Sequence, residues 1–185
     1  KRFIGTLDVP LLPQGEELAR RVGPTLPGVE HIYRSPLRRC LRTAELLWPG
    51  VPMTVVDELR ESDFGPFEGK NHEELKDDPL YQAWIGMGEH PDFANMPVGE
   101  SAQQVTDRVS RGLEKVAADA AARGCERVGV VSHGGALMSL LTKYGRPERA
   151  YYGWMCPNCG GFRAELRPDT LELTILEEYK GEKGL

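Results

Sequence analysis

The chain has 185 residues, 40% of them hydrophobic, with a formal net charge of -5 at pH 7. That length is enough for one domain with a sizeable core, so a single unit over 1–185 is expected. A pI near 5.5 argues against a general nucleic-acid or anionic-membrane surface, and no apolar run approaches the roughly 18 residues of a membrane helix. There is no charged-then-apolar leader, which gives the expectation of a soluble, cytoplasmic protein, although the sequence starts at Lys1 without methionine.

In chain order, Leu12–Val22 reads as a first helix, followed by a Pro/Gly-rich loop from Gly23 to Gly28. Val29–Tyr33 reads as a strand. Ser35 suits an N-cap and Pro36 the first helical position, and Leu37, Cys40, Leu41, Ala44, Leu47 and Trp48 then keep the spacing of a buried helical stripe. Val51–Val56 is a second strand, and Glu58–Gly69 a turn-rich loop carrying Glu58, Glu61, Asp63 and Glu68. Asn71–Gly86 looks helical with an interruption at Pro79, and Pro91–Gly99 is loop. Ser101 and Gln104 form a capping box for a long helix to about Arg123, with Gly124 as its stop. A β-branched strand at Arg127–Val131 runs through Ser132-His133-Gly134-Gly135 into another helix. Phe162–Leu166 and Leu171–Leu176 close the chain as a hairpin around Pro168-Asp169. Strands alternating with helices predict a three-layer α/β/α sandwich on a largely parallel sheet, with its site at the strand ends.

Two segments carry chemistry. Where the Arg127–Val131 strand stops, two glycines allow a tight turn, and the first N–H groups of the next helix point unpaired at whatever sits there, which suits an anion and aims His133 at it. A loop histidine satisfied by hydrogen bonds is the plainer alternative. Of Arg34, Arg38, Arg39 and Arg42, Arg39 lies off the centre of the apolar stripe in the first turns of its helix, where a guanidinium can grip phosphate with two parallel bonds. The others fit a solvated basic face. Cys156-Pro157-Asn158-Cys159 has the spacing of a redox dithiol or half a zinc site, but no second ligand pair stands at metal-binding spacing, and the residues after it read as a turn entering a strand. No metal and no cofactor are expected.

Arg2–Leu11, Ser35-Pro36-Leu37-Arg38-Arg39, Thr43-Ala44-Glu45, Leu59-Arg60-Glu61, Phe64-Gly65, Glu68-Gly69, Gly99-Glu100-Ser101 and Ser132-His133-Gly134, taken in that order, resemble the histidine phosphatase superfamily, the phosphoglycerate-mutase-like proteins, in its small-molecule branch with the α-ribazole phosphatases. The resemblance covers nearly the whole chain. It implies a metal-independent phosphatase that hydrolyses small phosphate monoesters through a phosphohistidine. Arg39, Gly5 and Gly134 would bind phosphate, Glu61 would donate the proton and His133 would stabilise the phosphoryl group in flight. Family members open with a strand ending in Arg-His-Gly, whose histidine is the nucleophile. Lys1-Arg2-Phe3 corresponds to the loop downstream of it, so that strand is expected to be absent from this sequence, leaving a gap between the Val29–Tyr33 and Arg127–Val131 strands and a chain unable to fold stably alone. Ile4 stands where many members carry a polar residue.

Asp63 is the runner-up acid if the loop is registered differently. Asn71–Ser101 holds one lysine, Lys76, and no arginine, which favours a phosphatase over a mutase. The same stretch, a helical lid around 70–100, carries Tyr81, Trp84 and Phe93, which either stack on a substrate ring or pack the lid's own helix. The expected partner is a small phosphorylated metabolite, with neither nucleic acid nor membrane, and with a homodimer left open. A noncatalytic phospho-ligand module is the alternative from another class.

Overall fold

The computed structural model describes residues 2–85 and 96–181. Helix α1 (Pro13–Val22) precedes strand β1 (His31–Arg34), helix α2 (Arg38–Leu47) and strand β2 (Met53–Val55). Two short helices, α3 (His72–Leu75) and α4 (Pro79–Ile85), lead to the long α5 (Ala102–Arg123). Strand β3 (Val128–Val131), helix α6 (Gly134–Tyr144), strand β4 (Gly145–Arg146) and the pair β5 (Gly161–Arg167) and β6 (Glu172–Tyr179) complete the chain. Among the described residues no helix is long and apolar enough to cross a membrane.

Local chemistry explains most of these boundaries. Ser101 and Gln104 make the capping box of α5, and Gly124 ends it in the left-handed conformation at φ 68°. Pro79 opens α4, so the expected interruption is the boundary between two helices. Helix α2 starts two residues later than expected, with Leu37 rather than Ser35 at its N-cap and no side-chain cap. The Ser35 hydroxyl still accepts from Leu37 N, at 3.3 Å, and also meets His133 Nε2, at 2.7 Å. Helix α6 runs to Tyr144. The hairpin is longer than its apolar runs suggested because polar residues continue both strands outward.

The fold is α/β, with a parallel three-stranded sheet in the order β2-β1-β3. Helices cover both its faces. Ile32 and Val131 pack against Cys40 and Ala44 of α2 on one face, and Tyr33 packs against Val116 of α5 on the other. The alternation of Ile32 and Tyr33, both fully buried, is the period of two that sends successive side chains to opposite layers. A second sheet has the order β4-β6-β5, with β5 and β6 antiparallel.

One expectation is overturned. β1 and β3 pair directly, with His31 opposite Val128 and Arg34 opposite Val131, so no gap separates them. The central sheet is parallel as expected, the β4-β6-β5 sheet stands apart from it, and the edge of β3 that faces this second sheet is open. There a cleft of about 350 Å³ separates β3 from β5 and reaches Ser132.

Candidate active site

Because β1 and β3 are parallel and in register through Arg34 and Val131, they end side by side. The residues that follow them, Ser35 and Ser132-His133, are thereby brought together at the carboxyl ends, where a parallel sheet places its sites. Ser35 is fully buried, and its hydroxyl lies 2.7 Å from His133 Nε2. Arg39, the second residue of α2, donates from Nε to His133 Nδ1 at 3.2 Å. It also donates from Nη1 to the Leu7 carbonyl and from Nη2 to the Gly5 carbonyl, each at 2.8 Å.

These contacts fix the imidazole. Arginine can only donate, so Nδ1 presents its lone pair and the ring proton sits on Nε2, facing Ser35. Burial, with the positive charges of Arg39 and Arg108 added, pulls the His133 pKa down to about 3, so the ring is neutral at ordinary pH. The same burial lifts the Cys40 thiol, 3.3 Å from His133 Nε2, to about 12.

Glu61 reaches the site from the loop between β2 and α3, tied to the end of β3 by the Ser132 hydroxyl bond to the Leu59 carbonyl at 2.8 Å. Its carboxylate accepts from the N–H of Ser62 at 2.8 Å and from those of Gly135 and Ala136 at 3.0 Å. The first turn of α6 is therefore occupied by a carboxylate of this chain, which satisfies two of the helix's orphan donors. Burial pushes the Glu61 pKa above the ordinary carboxylate value, against the pull of the three N–H bonds and Arg39. The close approach depends on Gly135, where an added Cβ would stand 2.6 Å from Glu61 Oε1. At Gly5 a Cβ would come within 2.3 Å of both Glu68 Oε1 and the Ser62 carbonyl.

Arg39, Glu61, His133 and Gly5 are thus gathered in one place, and Gly134 lies at the same helix start on the exposed side. Of the other three arginines of the cluster, two point away and Arg34 stays beside Ser35. Arg38 pairs with Asp8, Arg42 with Glu16 and Glu45, and Arg34 donates to the Ser35 carbonyl. Asp63 is turned into its own loop, where its carboxylate accepts from Gly65 N at 2.7 Å. Tyr81 and Trp84 are buried with Phe67 and Leu75, so they pack the helices that carry them. Phe93 lies outside the described residues. Cys156 and Cys159 flank a turn closed by Gly160 N on the Pro157 carbonyl, which leads into β5. Among the described residues no group of three or more His, Cys, Asp or Glu could hold a metal ion.

Sequence reasoning missed Ser35 as a partner of His133, because a serine before proline reads first as a cap. It also missed Arg108 of α5 and Glu100, just before that helix, which together hold the Glu61 loop. A buried arginine on the apolar face of a helix was the signal: Arg108 stands one residue before Val109 and three after Val105, both in the core.

The sequence profile of the histidine phosphatase superfamily (branch 1) matches residues 1–178. Among curated relatives, the protein named "uncharacterized phosphatase PhoE" of Bacillus subtilis (strain 168) is 34% identical over 152 residues, covering 78% of this chain and 70% of its own. The "probable phosphoglycerate mutase GpmB" of Klebsiella pneumoniae (strain 342) is 33% identical over 175 residues, covering 90% and 78%. Among solved structures, the α-ribazole phosphatase of Shigella flexneri superposes with a TM-score of 0.77 at 23% identity, covering 100% of this chain and 91% of that one, a likeness of fold. The phosphoglycerate mutase of Thermus thermophilus gives 0.62 at 28% identity, covering 96% and 88%. The chain belongs to the histidine phosphatase superfamily.

Proposed function

We propose that this chain supplies the phosphate-gripping and proton-donating part of a phosphatase that hydrolyses small phosphate monoesters through a phosphohistidine. Attack on such an ester needs positive donors around the equatorial oxygens, an in-line nucleophile and an acid at the leaving oxygen. In this reading Arg39 exchanges the carbonyls of Gly5 and Leu7 for phosphate oxygens, and His133 turns a ring proton toward the phosphoryl group in flight. Glu61, whose burial raises its pKa, is placed to give a proton to the leaving alkoxide. The Gly134 backbone faces the phosphate from the helix start.

The observation that carries this reading is the meeting of Arg39, His133 and Glu61 at one strand end. The nucleophilic histidine is assigned to an extended segment seated in the cleft between β3 and β5. That cleft has a strand edge on each side and opens at Ser132. Hydrolysis is favoured over mutase-type transfer because Lys76, the one lysine between Asn71 and Ser101, is paired with Glu73 at the surface.

The test is hydrolysis of an aryl phosphate, in the presence of EDTA, by the protein expressed from its complete reading frame. Turnover that persists with EDTA is expected, since arginine and oriented N–H groups supply the positive field. Loss of turnover on chelation, restored by a divalent ion, would contradict the proposal. Phosphate binding without any turnover would favour a noncatalytic module.

A further inference from the structure

Arg108 sits on α5, almost fully buried, and its guanidinium is used on every side. Nε and Nη2 form a two-pronged pair with the Glu100 carboxylate, both at 2.7 Å. Nη1 donates to the carbonyls of Glu58 and Arg60, at 2.7 and 2.9 Å, and Nη2 lies 3.4 Å from the carbonyl of Glu61 itself. Glu100 binds Arg60 in the same two-pronged way, at 2.9 and 3.0 Å, and accepts from Asp63 N at 3.2 Å. Backbone groups on both sides of Glu61 are therefore anchored to one buried ion cluster.

We infer that Arg108 is a positioning residue for Glu61, setting the height and direction of its carboxyl by clamping the carbonyls of the segment that carries it. The inference rests on the reading of Glu61 as the acid. A planar fork that meets a carboxylate and a row of carbonyls cannot be replaced by an ammonium group, which is compact and has one centre. With lysine the loop loses at least one anchor while the charge remains. Glu61 then spends less time against α6, and water enters beside it, which returns its pKa toward that of an ordinary carboxylate.

The experiment compares Arg108→Lys, the milder Glu100→Gln, and Glu61→Gln with wild type in the complete protein. Phenyl phosphate serves as the ester with a poor leaving group and 2,4-dinitrophenyl phosphate as the one with a good leaving group. A positioned acid contributes about 10² to 10⁴ in rate only where the leaving oxygen needs a proton. Arg108→Lys should accordingly slow kcat for the phenyl ester about tenfold more than for the dinitrophenyl ester, with KM little changed. The basic limb of the kcat profile should move to lower pH, and Glu100→Gln should act in the same direction by a smaller amount. If Arg108→Lys does not fold, Glu100→Gln carries the comparison.

Equal slowing of both esters with an unmoved limb would overturn the role of Arg108, provided that Glu61→Gln alone discriminates between them. If Glu61→Gln also slows both equally, the acid assignment fails and this inference falls with it.

Discussion

The two sides of strand β3 differ in how far the sheet is finished. Toward β1 the strand is paired through four residues, and the helices behind it close a core in which Ile32, Tyr33 and Ala44 are wholly excluded from water. Toward β5 it faces a cleft, and Val130 remains 37% exposed. Arg39, Ser35 and His133 stand over the closed side, and α6 holds Glu61 in place. The groups proposed to bind and protonate are thus fixed by a finished sheet, whereas the nucleophile is proposed to come from the unfinished side. In this proposal binding and proton donation do not depend on the cleft for their geometry, but the covalent step does.

Removing the central cation on the closed side should have the largest effect. Arg39→Ala takes away a charged donor and leaves the Gly5 and Leu7 carbonyls without their partner, so kcat/KM on an aryl phosphate should fall about 10² to 10³. A loss under threefold in steady-state kinetics would move the phosphate away from Arg39.

The next effect belongs to the open side. An unpaired strand edge exchanges its amide hydrogens readily, whereas a paired one is protected up to the level of global unfolding. In the complete protein, the β3 amides not bonded to β1 should exchange at least about tenfold more slowly than in a chain beginning at Lys1. Equal exchange rates, read by mass spectrometry or NMR, would leave the cleft unfilled and separate it from the site.

A smaller effect follows from the buried charges. His133 has a folded pKa of about 3, below its ordinary 6.5. Between those values the unfolded chain binds a proton that the folded one refuses, so stability falls as pH drops through this window. Glu100, held at about 2 by Arg108 and Arg60 against the cost of its burial, adds a loss of the same sign between pH 4.5 and 2. Glu61 opposes them. Its pKa is raised, so the stability it contributes is full below 4.5 and is lost as pH rises through the folded value. Urea midpoints measured from pH 7 to 4.5 should decline for wild type, and less for His133→Asn. Parallel curves would remove His133 from the linkage.

How much of this could be read from the sequence depends on how local each signal is. The helices were legible because capping residues and apolar spacing lie within a few residues of one another, as at Ser101, Gln104 and Gly124. Arg39, Glu61 and His133 were legible through their motifs, and the geometry brings them together. Ser35 was legible only as a local cap: its hydroxyl does accept from Leu37 N, but it also meets His133, 98 positions away, a tertiary contact that no local pattern shows. The placement of the gap failed for a related reason. Strand order is a long-range property, and neighbouring motifs in the sequence do not say which edge of β3 remains open. Arg108 and Glu100 escaped because each has an ordinary local explanation, a charged helix residue and a loop carboxylate, until α5 and the loop are packed together.

The most direct test of the central claim is to trap the covalent intermediate. Complete protein mixed with a radiolabelled aryl phosphate and quenched within milliseconds should carry phosphate on a histidine, in a bond stable to alkali and lost in acid. Arg39→Ala should accumulate far less of it. Hydrolysis that proceeds with no phosphoenzyme, or with an acid-stable phosphate ester in its place, would contradict the account.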